Sequence, residues 1–415
     1  MIKSLTLTAA LLLSASPALA RTIHVTAEGD AYENIQMALI EAEEGDTVHL
    51  AAGTYNLMDG LSLDVDEVTV RGDGPDRTVL TFKDQSGAGE GLLITSDGVL
   101  VTGLAVEDTK GDGIKAKGVD RFTVDNVRVE WTNGPDPENG AYGLYPVEST
   151  NILIQNSEVI ACSDAGVYVG QSDNIVVRGN RVSYNVAGIE IENSTNADVY
   201  DNLAWQNTGG VLVFDLPNLP KMGGHSTRIF DNVIVNNNTP NFASIGNIVQ
   251  ELPVGTGMII MANRNVHVFD NFFDGNDSAQ VMVISYTRPF EDENYNPLPR
   301  DVVVRDNVYG TGGSDPSFPG GKELAAAFGG AIPPILLDGA DTYEVGGETR
   351  SEPVRIVFDA PGITMGIDRA GQDRMTGTIA PAVSYDGEIP EPSPVVLPAN
   401  QPGMDDRPTQ IAAAD

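Results

Sequence analysis

The chain has 415 residues and a formal net charge of −35, from 59 acidic against 24 basic side chains. That balance excludes nucleic acid and anionic membranes as partners, and it disfavours a strongly anionic glycan unless a divalent cation or a local basic patch intervenes. The single cysteine, Cys162, excludes an internal disulfide and reads as a small buried residue, so stability must come from a core and from backbone ladders.

Residues 1–20, MIKSLTLTAALLLSASPALA, carry a Lys near the start, an apolar centre and a small-residue end, the pattern of a secretory leader cleaved before Arg21. The protein is therefore expected to be exported, periplasmic or extracellular, and no later apolar run approaches the ~20 residues needed to span a membrane. Residues 21–60 read as an N-terminal cap with the first strands. Within them AYENIQMALIEAEE, 31–44, places Ile35, Met37, Ala38, Leu39 and Ala42 near helical spacing with acids between, a helix that closes the open end of a repeat core.

From 61 to 310 one phrase recurs: GLYPVESTNILIQN, GVYVGQSDNIVVRGN, GIEIENSTNADVYDN. Each unit opens on Gly and an apolar-x-apolar triplet, turns a polar corner into a second strand and reaches an Asn before a third. Gly91 to Gly113 is 22 residues and Gly143 to Gly166 is 23, and Gly188, Gly210 and Gly257 continue the series. A period of that length with no helical pattern means three short strands per turn: an all-β, single-stranded right-handed parallel β-helix of about nine or ten coils, which overrules the two or three domains that length alone would allow. Asn126, Asn156, Asn180, Asn202, Asn232, Asn271 and Asn307 are expected to form one structural ladder at a corner, since Asn tolerates left-handed backbone and both donates and accepts. Residues 311–386 read as a Gly- and Pro-rich C-terminal cap or irregular extension, and 387–415 as a Pro-rich, poorly ordered tail.

Four insertions interrupt the repeat, before Gly143, after Phe214, before Gly257 and after Ser285, and all flank the opening-Gly sheet. Loops raised on both sides of one sheet make a groove, and grafted loops are where a solenoid keeps its function. The middle residue of each triplet points outward, which places Lys115, Lys117, Tyr145, Tyr168, Glu190 and Glu192 on adjacent turns, followed by an apolar run from Leu212 and Phe214 to Met282 that a loop or the C-terminal segment should cover. Tyrosines beside acids and lysines suit a sugar cleft, with Lys117, Glu190, Glu192 and Phe214 as binding residues. Lys115, Tyr145 and Tyr168, with His225 from the insertion after Phe214, are the candidate catalytic groups, a lysine–tyrosine pair being able to serve as base and acid in β-elimination. Glu190 and Glu192 could also ligate a cation such as Ca2+, but no metal site or cofactor is assigned. The competing reading is a solvated sheet face on a non-catalytic solenoid that binds an envelope protein.

The IQMAL helix with GDTV and GTY resembles the N-terminal start of pectin-lyase-like right-handed β-helix proteins, and YGLYPV, SDAGVYVGQS, AGIEIENSTNADVYDN, FDLPNLP and NFASIGNIV resemble a family of exported bacterial β-helix repeat proteins over roughly 30–310. That resemblance implies a fold and a compartment and no reaction. More distantly the chain is similar to mannuronan C5-epimerases and polysaccharide lyases. Against the epimerase motif Y-G-I-D-P-H-D, Tyr142, Gly143 and Pro146 agree, while Tyr145 and Val147 stand where an acid and a histidine would be. The expected partner is a polysaccharide or cell-envelope glycan, with lyase or epimerase-type processing the reaction the resemblance implies.

Overall fold

The computed structural model describes residues 20–87, 89–367, 370 and 378–404. Three sheets, of twelve, twelve and ten strands, run the length of a parallel solenoid. The opening-Gly strands form one of the twelve-stranded sheets, here the groove sheet. Its middle strands are Ile114–Lys117, Leu144–Val147, Ala165–Gly170, Ala187–Glu192, Gly209–Phe214, Thr256–Met261 and Ala279–Ile284. The stack exceeds nine or ten coils because strands on both flanks of 61–310 join it: Thr22–Val25 and Thr47–Leu50 lead the second sheet, and Ile335–Leu337 and Ile356–Phe358 extend the groove and second sheets. Alternation along the groove strands puts Val167, Val169, Ile189, Ile191, Val211 and Val213 in the core without solvent contact.

Helix α1, Ala31–Glu41, starts where the Asp30 carboxylate accepts the Glu33 amide at 3.1 Å. It buries Ala31, Ile35, Ala38 and Leu39, whereas Met37 faces solvent, off the stripe that spacing suggested. The Gln36 side chain donates to Ser62 O and accepts from Ser62 N, both at 2.9 Å, so the helix also satisfies the open edge of the groove sheet's first strand.

The asparagine ladder is real but its membership differs. Asn180, Asn202, Asn232, Asn271 and Asn307 each pass a side-chain hydrogen bond to the next at 2.9–3.0 Å. Asn126 and Asn156 sit one residue earlier in the coil, in left-handed backbone with φ of 55° and 51°, and Ser157 takes the ladder position, its amide donating to Asn180 Oδ1. A second buried ladder, Asn185, Asn207, Asn237 and Asn276, runs at another corner. Cys162 heads it, fully buried, with its amide donating to Asn185 Oδ1.

The Pro-rich segment that reads as a loose tail is held as far as Met404. Residues 387–404 pass along the outside of the second sheet, where Glu391 pairs with Arg228 and Arg305, and Val395 N donates to Asp198. Farther on, Gln401 donates to Phe122 O, Thr123 Oγ1 and Asn151 O. The last residues of that expected tail, 405–415, and residues 1–19 of the expected leader lie outside the described residues.

Candidate functional site

The outward face of the groove sheet is roofed by the insertions. Ala243, Val249 and Leu252 from 236–255, and Leu324 and Ala325 from a short helix Gly321–Ala327, pack over Leu212, Ile259 and Met282, so loop and C-terminal segment together cover the apolar run. The two insertions on the Gly side are tied together where Ser244 Oγ donates to Pro137 O at 2.7 Å, and Asn247 reaches down to Asp164 Oδ2 at 3.1 Å.

Under and beside that roof lies an aromatic and carboxylate cluster. The rings of Tyr142, Tyr145 and Tyr168 contact one another, with centroids 4.4–4.9 Å apart. Lys115 stands in register with Tyr145, its Nζ 4.8 Å from the ring centre and 3.3 Å from both Glu90 and Asp112 carboxylates. Behind Tyr168 the next turn presents Glu190 and Glu192, paired in register with Tyr168 and Gly170. Tyr145 and Lys115 are half-buried, whereas Tyr168, Glu190, Glu192 and Asp164 are all under a tenth exposed.

Burial sets the proton affinities here. It lifts the Glu192 carboxyl to about 7, helped by the Asp215 charge and resisted by a hydrogen bond from the Tyr168 hydroxyl. Asp164 rises to about 8 through burial and the Glu192 charge, against the Tyr142 hydroxyl that donates to it. Glu190 rises for the same reasons, burial first and then Asp164 and Glu192. Asp215 reaches about 6, restrained by the Gly224 and Gly223 amides. Asp164 Oδ1 and Glu190 Oε1 have no hydrogen-bond partner among the described residues. Asp164 and Glu190 thus both hold a proton more tightly than a free carboxyl does, next to Glu192, which titrates near neutrality, an arrangement in which neighbouring carboxyls can take different acid–base roles.

Lys115 does not fit the role of base. Burial of its ammonium works against the charge, but Asp112 and Tyr145 outweigh it and the proton is held more tightly than in a free lysine. Lys115 stays a cation, suited to binding. His225 is not in the groove at all. It opens the second-sheet strand His225–Phe230, opposite Thr195 and Arg264, with its Nδ1 2.8 Å from Ser226 Oγ. The turn at Gly223 and Gly224, pinned by Asp215, ends the insertion one residue before it. Lys117 is exposed at a strand end, 3.8 Å from Glu148, and Phe214 is buried in the apolar half. Among the described residues no group of three His, Cys, Asp or Glu converges to hold a metal ion.

Tyr142, Asp164, Asp112 and Asp215 belong to the cluster without having been singled out by the repeat. Asp112 and Tyr142 each precede an opening glycine, a phase that could have been read. Asp164 gives no such signal, and one of its partners, Asn247, lies 83 residues away in sequence.

A parallel solenoid whose coils carry one loop-flanked face defines the class, and the sequence agrees. Residues 78–218 and 112–295 match the family described as right handed beta helix region, to which the chain belongs. Among solved structures, the A-module of mannuronan C-5 epimerase AlgE4 from Azotobacter vinelandii aligns with a TM-score of 0.53 at 16% identity, covering 84% of this chain and 96% of that one. The DFA-IIIase from Arthrobacter chlorophenolicus gives 0.51 at 13% identity, covering 77% and 91%. The catalytic unit of a GH87 alpha-1,3-glucanase from Streptomyces thermodiastaticus gives 0.50 at 16% identity, covering 83% and 63%. These are likenesses of fold. No curated protein matches the sequence.

Proposed function

We propose that this is an exported β-helix protein that binds a polysaccharide or cell-envelope glycan on the outer face of the groove sheet and processes it by acid–base chemistry of the lyase or epimerase type. The observation that carries the reading is the three-tyrosine cluster, open toward Lys115 and backed by Glu190 and Glu192. Ring faces pack on pyranose faces, the Lys115 cation bonds hydroxyl or carboxylate, and a carboxyl titrating near neutrality can both give and take a proton. The fold shared with a mannuronan epimerase and an alpha-1,3-glucanase supports carbohydrate as the ligand class, and the leader-like residues 1–20 support export. Proton transfer is assigned to Glu192, with Tyr168 bonded to it, in place of Lys115 and His225.

A second reading, a non-catalytic solenoid that binds an envelope protein, is favoured by one observation: the protein's own loops fill much of the groove, leaving Tyr168 and Glu190 only 4% and 1% exposed. The test is the protein from Arg21 onward against a panel of uronic-acid glycans, with and without calcium. Ultraviolet absorbance reads an unsaturated uronate, proton NMR reads C5 inversion and calorimetry reads binding. Binding that weakens about tenfold in Tyr145→Ala, with turnover lost in Glu192→Gln, is expected. Absence of both binding and product across the panel moves the assignment to the scaffold.

A further inference from the structure

Next to the tyrosine cluster, on the same sheet face, lies a cavity of about 560 Å³ that the acid–base reading does not use. Its floor is Leu212, Ile259 and Met282, one flank is Ile248 and Leu252 of the 236–255 insertion, and the other is Phe318. Charge enters its lining only at Glu251 and Arg288, which pair with each other at 3.0 Å. The cavity opens to solvent, so its apolar walls are left facing water, an exposure that a bound apolar group would relieve. Ligand sites have this size and this lining. At about 30 Å³ for a water-sized group the cavity holds about 19 such groups, enough for a chain of a dozen methylenes. The thioethers of Met261, Met282 and Met365 line it, and their flexible side chains adapt to a chain better than to a rigid ring system.

Position supplies the head group. Glu190 pairs in register with Leu212 and Glu192 with Phe214, so the acid cluster and the apolar floor are one strand spacing apart, about 4.8 Å. We propose that the cavity takes the single hydrocarbon chain of an acylated saccharide whose sugar lies on Tyr142, Tyr145 and Tyr168. This rests on the glycan reading above and narrows it to an amphiphile.

The test uses calorimetry on the protein from Arg21 onward with three probes: sodium dodecanoate, n-dodecyl maltoside below its micelle concentration, and maltose. Dodecyl maltoside should bind most tightly, dodecanoate less so and maltose least. Ile284→Trp, which fills the half-buried rim of the cavity, should weaken both chain probes at least about tenfold with the thermal midpoint unchanged. Ile284→Gln, which keeps the volume and adds a polar group, should act in the same direction. Tyr145→Ala should weaken dodecyl maltoside alone. If the wild-type protein binds neither chain probe, or both Ile284 variants bind as it does, the inference is overturned, while binding in the uronic-acid panel would leave the glycan reading standing. If dodecanoate and dodecyl maltoside bind alike and Tyr145→Ala changes neither, the saccharide half is overturned and the cavity keeps only its chain.

Discussion

Replacing Glu192 by Gln removes a carboxyl whose proton the fold holds more tightly than the unfolded chain does, and the size of the effect follows from its environment. Folding raises this group from an ordinary 4.5 to about 7. A raised carboxyl binds its proton more tightly in the native state, so the stability it contributes is fully present below 4.5 and is lost as pH climbs through 7. Each tenfold change in proton affinity is about 1.4 kcal/mol, which makes the loss about 3 kcal/mol between about pH 4 and about pH 8. Gln keeps an oxygen to accept from Tyr168 and has nothing to ionise. The variant should therefore match the wild-type protein under acid conditions and exceed it by about 3 kcal/mol in mild alkali. Urea titrations at a series of pH values measure this through the transition midpoint. The Glu192 charge also raises Asp164, so the same substitution should bring the Asp164 titration down from about 8. A stability difference that is flat across the pH series would refute the argument, because it would mean that Glu192 ionises in the native protein as it does in the unfolded chain.

Asn207→Ala removes a buried side chain that donates to Val182 O and Asn237 Oδ1 and accepts from Asn185, so that buried groups on the two neighbouring coils lose a partner. Denaturant titration should show a loss on the order of 3 kcal/mol, at 1–3 kcal/mol per unsatisfied group, and a loss below about 1 kcal/mol would count against the ladder as a source of stability. Arg228→Leu strands Asp198, which is 7% exposed and bonded by both the Nε and Nη2 of Arg228, and should cost about 3–5 kcal/mol by the same measurement. Cys162 is fully buried and burial pushes its thiol up, so a thiol reagent should modify it only after the protein is unfolded in guanidinium, and labelling of the native protein would contradict its place at the head of the second ladder.

Fold was far more legible in the sequence than site. Stacking repeats one environment every coil, so the same residue returns at the same phase and a reader sees Gly143, Gly166 and Gly188 as one position. The second ladder runs five residues behind the first with the same spacings of 22, 30 and 39, but it was hidden because each corner also carries other asparagines. Counting asparagines without the coil frame also merged Asn156, a left-handed turn residue, with Asn180, a ladder residue. Outward pointing was foreseeable for Tyr168 and Glu190, but their burial was not, because the residues that bury them come from insertions that obey no period. The same holds for His225. Its place depends on whether the insertion after Phe214 ends before or after it, and the structure ends the insertion at Gly224, whose amide donates to Asp215, with His225 paired into the second sheet. Residues 387–404 look like linker by composition, yet they need few apolar side chains to bind because Arg228, Arg305 and Gln155 meet them with polar groups.

That returning arm changes the mechanics of the whole molecule. In a plain solenoid each coil touches only its neighbours, and the stack can fray from either end without disturbing the middle. Here Thr123 Oγ1 donates to Pro402 O across a separation of 279 residues, joining the last described stretch of chain to a coil laid down near the beginning. Closing a loop of that length is entropically costly and belongs late in assembly, after the intervening turns have formed. Once made, it clasps the coils from Thr123 to Arg305 together: none of these can unwind far without first releasing the strap, and a chain cut short before 387 would have every coil of the helix but no clasp.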